Sequence, residues 1–223
     1  MGVAERRERD RERRQEAILD AAERVFLRDG YDAATMDAVA GEAEVSKGTL
    51  YLYFDSKDAL HGAIAARSIG GLIKRFKGRL ADCKTGLDGI RALLDSYRDH
   101  FAERPERCRL VTSRLSRPPG TVGPEGPAPR ARLGELIARV VETIERGRAD
   151  GSIRPDVDPP VLALQLWAGF LGVWLLDMNR GELEARLPTP VDLSALVPAY
   201  VETLLRGIAG PAADLNAIGK EAR

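Results

Sequence analysis

Within Thr35–Lys57, TMDAVAGEAEVSKGTLYLYFDSK, hydroxyls, phenols and ammoniums crowd onto two short helical patterns joined by a tight polar turn. Leu50 and Phe54, four residues apart, take the inner side of the second pattern and leave Lys47, Gly48, Thr49, Tyr51 and Tyr53 outside or at its edges. A helix of about two turns does not hide two tyrosines and a lysine in a core. Phenol hydroxyls and an ammonium suit phosphate oxygens. Thr49 can offer a hydroxyl and a methyl to base edges, and Gly48 permits close backbone approach. Lys57, with the first N–H groups after Ser56, makes a second phosphate site at a helix N-terminus. This is the chemistry of a helix-turn-helix that holds double-stranded DNA.

Chemistry of other kinds finds little support. The chain has two histidines, no G-x-S-x-G, no glycine loop shaped to cradle a phosphate and no close His/Asp constellation, so no enzyme and no cofactor are expected. His100 with Cys83 or Cys108 lacks the short spacing of a metal site. The two cysteines form no disulfide framework and read as reduced thiols of a cytoplasmic protein.

The elements that position these residues can be read from caps and stripes. Thr35 is the N-cap of the first short helix, with Asp37 in its first turn and Met36, Val39, Ala40 and Ala43 inward. Ser46 caps the second helix and Ser56 the next. Ahead of them, Ile18, Ala21, Ala22, Val25 and Phe26 form one buried helical face, which stops at Gly30 in a left-handed conformation. Residues 5–14 carry six Arg and four acids, an exposed and frayed helix start or an arm that reaches DNA.

The run SKGTLYLYFDSKDAL, together with TMDAVAGEAEV before it and the helix ending at Gly30, resembles the tetracycline-repressor-like (TetR) family of bacterial transcription regulators. The motif match covers about residues 12–65, and the remainder matches in helical organisation and length. The resemblance implies an all-α chain of about nine helices. It would comprise an N-terminal three-helix helix-turn-helix domain over 12–60 and a larger ligand-binding and dimerisation domain over 61–223. It also implies that Lys47, Gly48, Thr49 and Tyr51 face bases, that Thr35, Tyr53 and Lys57 hold phosphates, and that Ser46 stands among them. Two residues depart from the family's pattern. Glu44 occupies the turn position usually held by glycine, and Asp37 stands where some members place a base-reading basic residue.

The rest of the chain reads as helices around a core. One long helix is expected over Asp58–Asp82, another over Gly86–Glu103 ended by Pro105, a short one over Cys108–Leu115 and a further one over Ala131–Ala149. Residues 116–129, with five Pro and three Gly, read as a loop, and Pro155–Pro160 as a second break. Val161–Met178 is apolar around its whole circumference. Its longest apolar run, Val161–Leu176, is about 16 residues and contains Gln165, short of the ~20 of a membrane span, so it is expected inside a core or between two subunits. A last helix carries Leu193, Val197, Tyr200, Leu204 and Ile208. The dimer interface is expected at Leu164, Ala168, Leu171 and Leu175 with Val197, Tyr200 and Leu204, as half of an intermolecular four-helix bundle. Candidates for an effector pocket are Tyr97, His100, Phe101, Arg114, Gln165, Trp167, Phe170 and Trp174, whose aromatic supply favours an aromatic or lipophilic small molecule.

Composition sets the outer bounds. Of 223 residues, 44% are hydrophobic and 30% charged, as in a soluble globular protein without a membrane segment, and the residues 5–16 are too charged for a signal peptide. The formal net charge is zero, so contact with DNA must come from local placement of charge. The expected function is a transcription regulator, a repressor that binds a palindromic operator as a homodimer and is released by a small-molecule effector. A regulator controlled by a protein partner, and a helical scaffold that has lost DNA binding, stay open as alternatives.

Overall fold

Among the residues described by the computed structural model, 2–112, 127–188 and 193–214, ten α-helices follow one another. They are α1 (Val3–Asp29), α2 (Met36–Glu42), α3 (Lys47–Tyr51), α4 (Lys57–Leu80), α5 (Gly86–Glu103), α6 (Pro105–Thr112), α7 (Pro127–Ala149), α8 (Pro159–Met178), α9 (Arg180–Arg186) and α10 (Leu196–Ile208). A 3-10 turn, Leu193–Ala195, leads into α10. The chain forms two compact units, Met1–Gly71 with Glu103–Leu133, and Leu72–Ala102 with Gly134–Arg223. Helices α4, α5 and α7 each give residues to both.

In the first unit, the apolar stripe of α1 supplies Ile18, Leu19, Ala22, Val25 and Phe26 to a core shared with Val39, Ala40, Leu50, Phe54, Leu60, Ile64 and Leu110. Beneath it lies an ion network. Glu23, almost fully buried, accepts from Arg67 (Oε2, 2.7 Å) and Arg107 (Oε1, 2.5 Å), and Arg67 also meets Glu16 and Asp20. These charges tie α1, α4 and α6 together, and His61 Nε2 lies 2.9 Å from the Leu110 carbonyl. Helix α1 begins earlier than its charge pattern suggests, at Val3. Gly30 ends it at φ 78° and ψ 153°, a glycine-favoured conformation but not the left-handed helical one. Helix α6 starts at Pro105, ahead of the expected Cys108, because Pro105 both closes α5 and opens α6 as a first-turn proline; the expected end at Leu115 lies outside the described residues.

In the second unit, Leu87, Ile90, Leu93, Leu94 and Tyr97 of α5 pack in a core with Leu136, Val140 and Ile144 of α7, Leu166 and Phe170 of α8, and Leu205 and Ile208 of α10. The N-terminus of α5 is capped from afar: Asp150 accepts from Gly86 N (2.8 Å) and Ser152 Oγ from Leu87 N (3.1 Å). Burial raises the Asp150 pKa, but the hydrogen bonds from Ser152 and Gly86 outweigh it and hold the carboxyl below its ordinary value. An isolated bridge, Ile153 with Ala209, joins this loop to the end of α10.

Helix α8 is longer than its apolar run. Asp158 accepts from Val161 N, Pro159 and Pro160 fill the first turn, and the helix reaches 20 residues, with a mean hydropathy of 1.7 over its most apolar 18-residue window. It is thus long and apolar enough to cross a membrane, a test that the core helix of a soluble protein also passes. Here one face, with Leu162, Ala163, Leu166, Phe170 and Trp174, is buried, while Val161 and Leu164 on the other are half exposed (51% each). Helix α9 lies in a stretch that sequence patterning left without a helix. It is short, has no buried residue, and is supported by an Arg186–Glu182 pair one turn apart.

Candidate nucleic-acid interface

Helices α2 and α3 hold the outward-facing residues by local caps and one unusual turn. Thr35 Oγ1 accepts from Ala38 N (3.1 Å), and Ser46 Oγ accepts from Thr49 N (3.0 Å) while lying 2.8 Å from Thr49 Oγ1. Between the helices, Val45 N donates to Ala40 O (3.0 Å) and Glu44 N to Gly41 O (3.1 Å), the paired bonds of a Schellman stop. That stop requires positive φ at Glu44, which adopts 53°. A side chain there is strained by about 1–2 kcal/mol, and glycine loses about 0.5–1 kcal/mol more on ordering, so Glu44→Gly should stabilise the protein by about 0.5 kcal/mol. Chemical denaturation of both forms measures this, and a loss of stability would contradict it.

The outer surface of α3 presents a compact set. Lys47 Nζ binds the Asp37 carboxylate at 2.7 and 3.0 Å, and this hydrogen bond raises the lysine's pKa. Gly48 is exposed, and a Cβ there would meet only Ser46 Oγ, at 3.9 Å, so internal packing does not demand glycine. Tyr51 is exposed and Tyr53 packs partly against the core. Leu52, 80% exposed at the C-cap of α3, is an outward apolar residue that the sequence analysis did not single out. Its position two residues after inward Leu50 was the available signal.

Ser56 Oγ accepts from Ala59 N, as a cap of α4 should. Lys57 behaves differently from a lysine held only for phosphate. Its ammonium donates to the carbonyls of Asp32 and Ala34, both at 3.0 Å, and sits 4.6 Å from the Tyr31 ring centroid. Tyr31 in turn donates to Asp58 (2.5 Å). An ammonium has three donors, so two now pin the turn after α1 onto the start of α4. Glu42 at the end of α2 is likewise engaged, by Arg24 and Arg28, whose hydrogen bonds hold its carboxyl below the usual range.

In the second unit, five of the eight pocket candidates form one aromatic cluster. Tyr97 stacks on Phe170 at 5.2 Å, Phe101 lies 4.9 Å from Trp174 and 5.9 Å from Phe170, and His100 lies 5.7 Å from Phe101. Burial pushes the Tyr97 phenol well above its ordinary pKa, so it stays neutral. Gln165 faces solvent, Trp167 is half-buried outside these ring contacts, and Arg114 lies outside the described residues. Among the described residues, no group of three His, Cys, Asp or Glu side chains is placed to hold a metal ion. Of the interface candidates, Leu164, Ala168 and Leu175 are exposed, Leu171, Tyr200 and Leu204 half-buried, and Val197 buried within its own chain. A Cβ on Gly169 would lie 2.1 Å from the Tyr200 hydroxyl, so glycine there makes room for the Tyr200 ring.

Residues 18–64 match the profile described as bacterial regulatory proteins, tetR family, and residues 90–204 the tetracyclin repressor-like C-terminal domain. The chain therefore belongs to the tetR family of bacterial regulatory proteins, DNA-binding regulators of transcription rather than enzymes. It is 32% identical over 184 residues to the transcriptional regulator UidR of Escherichia coli K12, covering 81% of this chain and 89% of that one. It is 29% identical over 174 residues to the A-factor receptor protein of Streptomyces griseus, covering 77% of this chain but only 58% of that relative's length. The fold resembles that of the regulator FadR of Bacillus subtilis, solved in complex with stearoyl-CoA. That match has a TM-score of 0.70 at 20% identity over 86% of this chain and 98% of that one.

Proposed function

We propose that this regulator is a repressor that binds a palindromic operator as a homodimer and is released by an aromatic or lipophilic small molecule in the cytoplasm. The observation that carries the reading is the surface of α3, where Lys47, Gly48, Thr49 and Tyr51 lie together beside the capped starts of α2 and α4. In this reading Lys47, Gly48, Thr49 and Tyr51 meet bases, Thr35, Tyr53 and Lys57 hold phosphates, and Ser46 fixes the start of α3. Residues 12–60 then serve as the DNA-binding domain and 61–223 as the ligand-binding and dimerisation domain. One short reading helix recognises half of a palindrome, so two copies must present theirs about 34 Å apart. The exposed stripe of α8, with Tyr200 and Leu204 of α10, supplies the pairing surface. The cluster of Tyr97, His100, Phe101, Phe170 and Trp174 supplies apolar wall for an effector, and the stearoyl-CoA held by the Bacillus relative supports a lipophilic class. An effector acts only through its different affinity for the DNA-bound and released states.

Binding to a palindrome selected from a random library tests the assignment. Tyr53→Phe and Lys57→Ala should both weaken binding to all sequences; Lys57→Ala should also flatten the salt dependence by about one unit, whereas the neutral Tyr53 hydroxyl leaves the slope unchanged. Lys57→Ala should also lower thermal stability, because the carbonyls of Asp32 and Ala34 lose their donor. Thr49→Ala should change which bases are preferred. Three variants that all bind as the parent does would refute the site. Quenching or shifting of Trp167 and Trp174 fluorescence, coupled to operator release, would identify the effector class.

A further inference from the structure

Residues 35–57 carry four acids, Asp37, Glu42, Glu44 and Asp55, against only two bases, Lys47 and Lys57. A surface that meets polyanionic DNA is thus acidic in its own sequence, and both ammoniums are engaged. Lys57 donates to two backbone carbonyls, and Lys47 is held by both oxygens of Asp37. The Asp37–Lys47 pair is not needed to hold α2 against α3. Buried Val39, Ala40 and Leu50 and the hydrogen-bonded turn at Glu44 already do so. Both side chains remain more than half exposed (67% and 57%), where ion pairs add little stability. Its consequence is electrostatic. Non-specific attraction to DNA comes from ammoniums exchanged against phosphate counterions, and Asp37 withholds Lys47 from that exchange.

We infer that Asp37 is a specificity-determining residue that restrains Lys47, so the ammonium yields to a base edge and not to any nearby phosphate. The inference rests on α3 being the base-reading helix. A C·G pair fits the exchange: a carboxylate accepts from the cytosine amino group, and an ammonium donates to guanine O6 and N7. The pair can open toward these partners with both charges again satisfied. Against a phosphate, Lys47 would gain a partner while Asp37 faced a like charge.

Fluorescence anisotropy with the full chain, on the selected palindrome and on a random duplex of equal length, tests this across a salt titration. Asp37→Asn keeps the shape and removes the charge. It should tighten binding to random duplex roughly tenfold and steepen the salt slope by about one unit per bound chain. Operator affinity should change less, so the ratio of the two falls. In a Lys47→Gln background the same substitution should lose most of that effect. An unchanged ratio and slope in Asp37→Asn overturns the inference while leaving α3 as the reading helix. A gain that persists in full without Lys47 also overturns it, since Asp37 would then be a plain repulsive charge. A parent chain that selects no sequence overturns the reading of α3 and this inference with it.

Discussion

On the proposed pairing, Leu164→Glu is expected to leave the protein monomeric and to weaken binding to a selected palindrome by at least about a hundredfold. On α8, Val161, Leu164, Ala168, Gly172 and Leu175 fall on one side of the helix, opposite buried Leu162, Leu166, Phe170 and Trp174. All five are exposed within a single chain. A contiguous apolar stripe of this kind marks a surface that is covered in use. In a two-fold pairing each residue counts twice, and burying one leucine contributes about 2 kcal/mol. A carboxylate at Leu164 removes that gain in both copies and must itself be desolvated. The loss in DNA binding follows because two linked half-sites gain on the order of 100- to 10,000-fold over one. Light scattering at micromolar concentration reads the mass, and anisotropy reads the affinity. Leu175→Glu, at the other end of the stripe, should behave the same way. A parent protein that is itself monomeric, or glutamate variants that remain dimers, would end the proposal.

Gly86→Ala is expected to be severely damaging to the second unit. A Cβ at this position would lie 2.2 Å from the Cα and N of Gly147 and 2.7 Å from the Thr143 carbonyl oxygen. These are backbone atoms of α7, so no side chain can swing aside. The start of α5 would have to retreat, loosening the bonds that Asp150 and Ser152 accept from Gly86 N and Leu87 N. Overpacking against backbone should lower stability by about 3 kcal/mol or more and the melting temperature by roughly 10 °C. Gly134→Ala gives the contrast. It lies in α7 with nothing within 4 Å of its would-be Cβ, so the substitution should stabilise by about 0.5–1 kcal/mol through helix propensity. Thermal melts of both variants check the pair. Equal effects would show that the close approach of α5 and α7 is not what makes Gly86 necessary.

The candidate site was legible in the sequence because its signals are local. Thr35, Ser46 and Ser56 cap the backbone N–H three residues on, and Leu50 within α3 and Phe54 just past its end both turn into the core, as their spacing suggests. Glu44 has positive φ because the Schellman stop of α2 demands it, whatever residue stands there. Helix α9 was not legible, since a seven-residue polar helix offers no apolar period. The length of α8 was underestimated for a related reason: apolarity starts at Val161, but the helix starts where Asp158 caps it.

The sequence by itself determined the longer helices through their apolar stripes, the caps that start α2, α3 and α4, and which side chains α3 turns outward. Each of these depends on interactions within about four residues. Only the tertiary structure decided that Lys57 is spent on the carbonyls of Asp32 and Ala34 and that Glu23 is enclosed by Arg67 and Arg107. It alone decided that Gly86 rests on Gly147, and which of the two stripes of α8 faces inward. An evenly apolar helix has no preferred face of its own. Its orientation follows from the shapes of Tyr97, Phe101 and Tyr200, which are brought to it from distant parts of the chain.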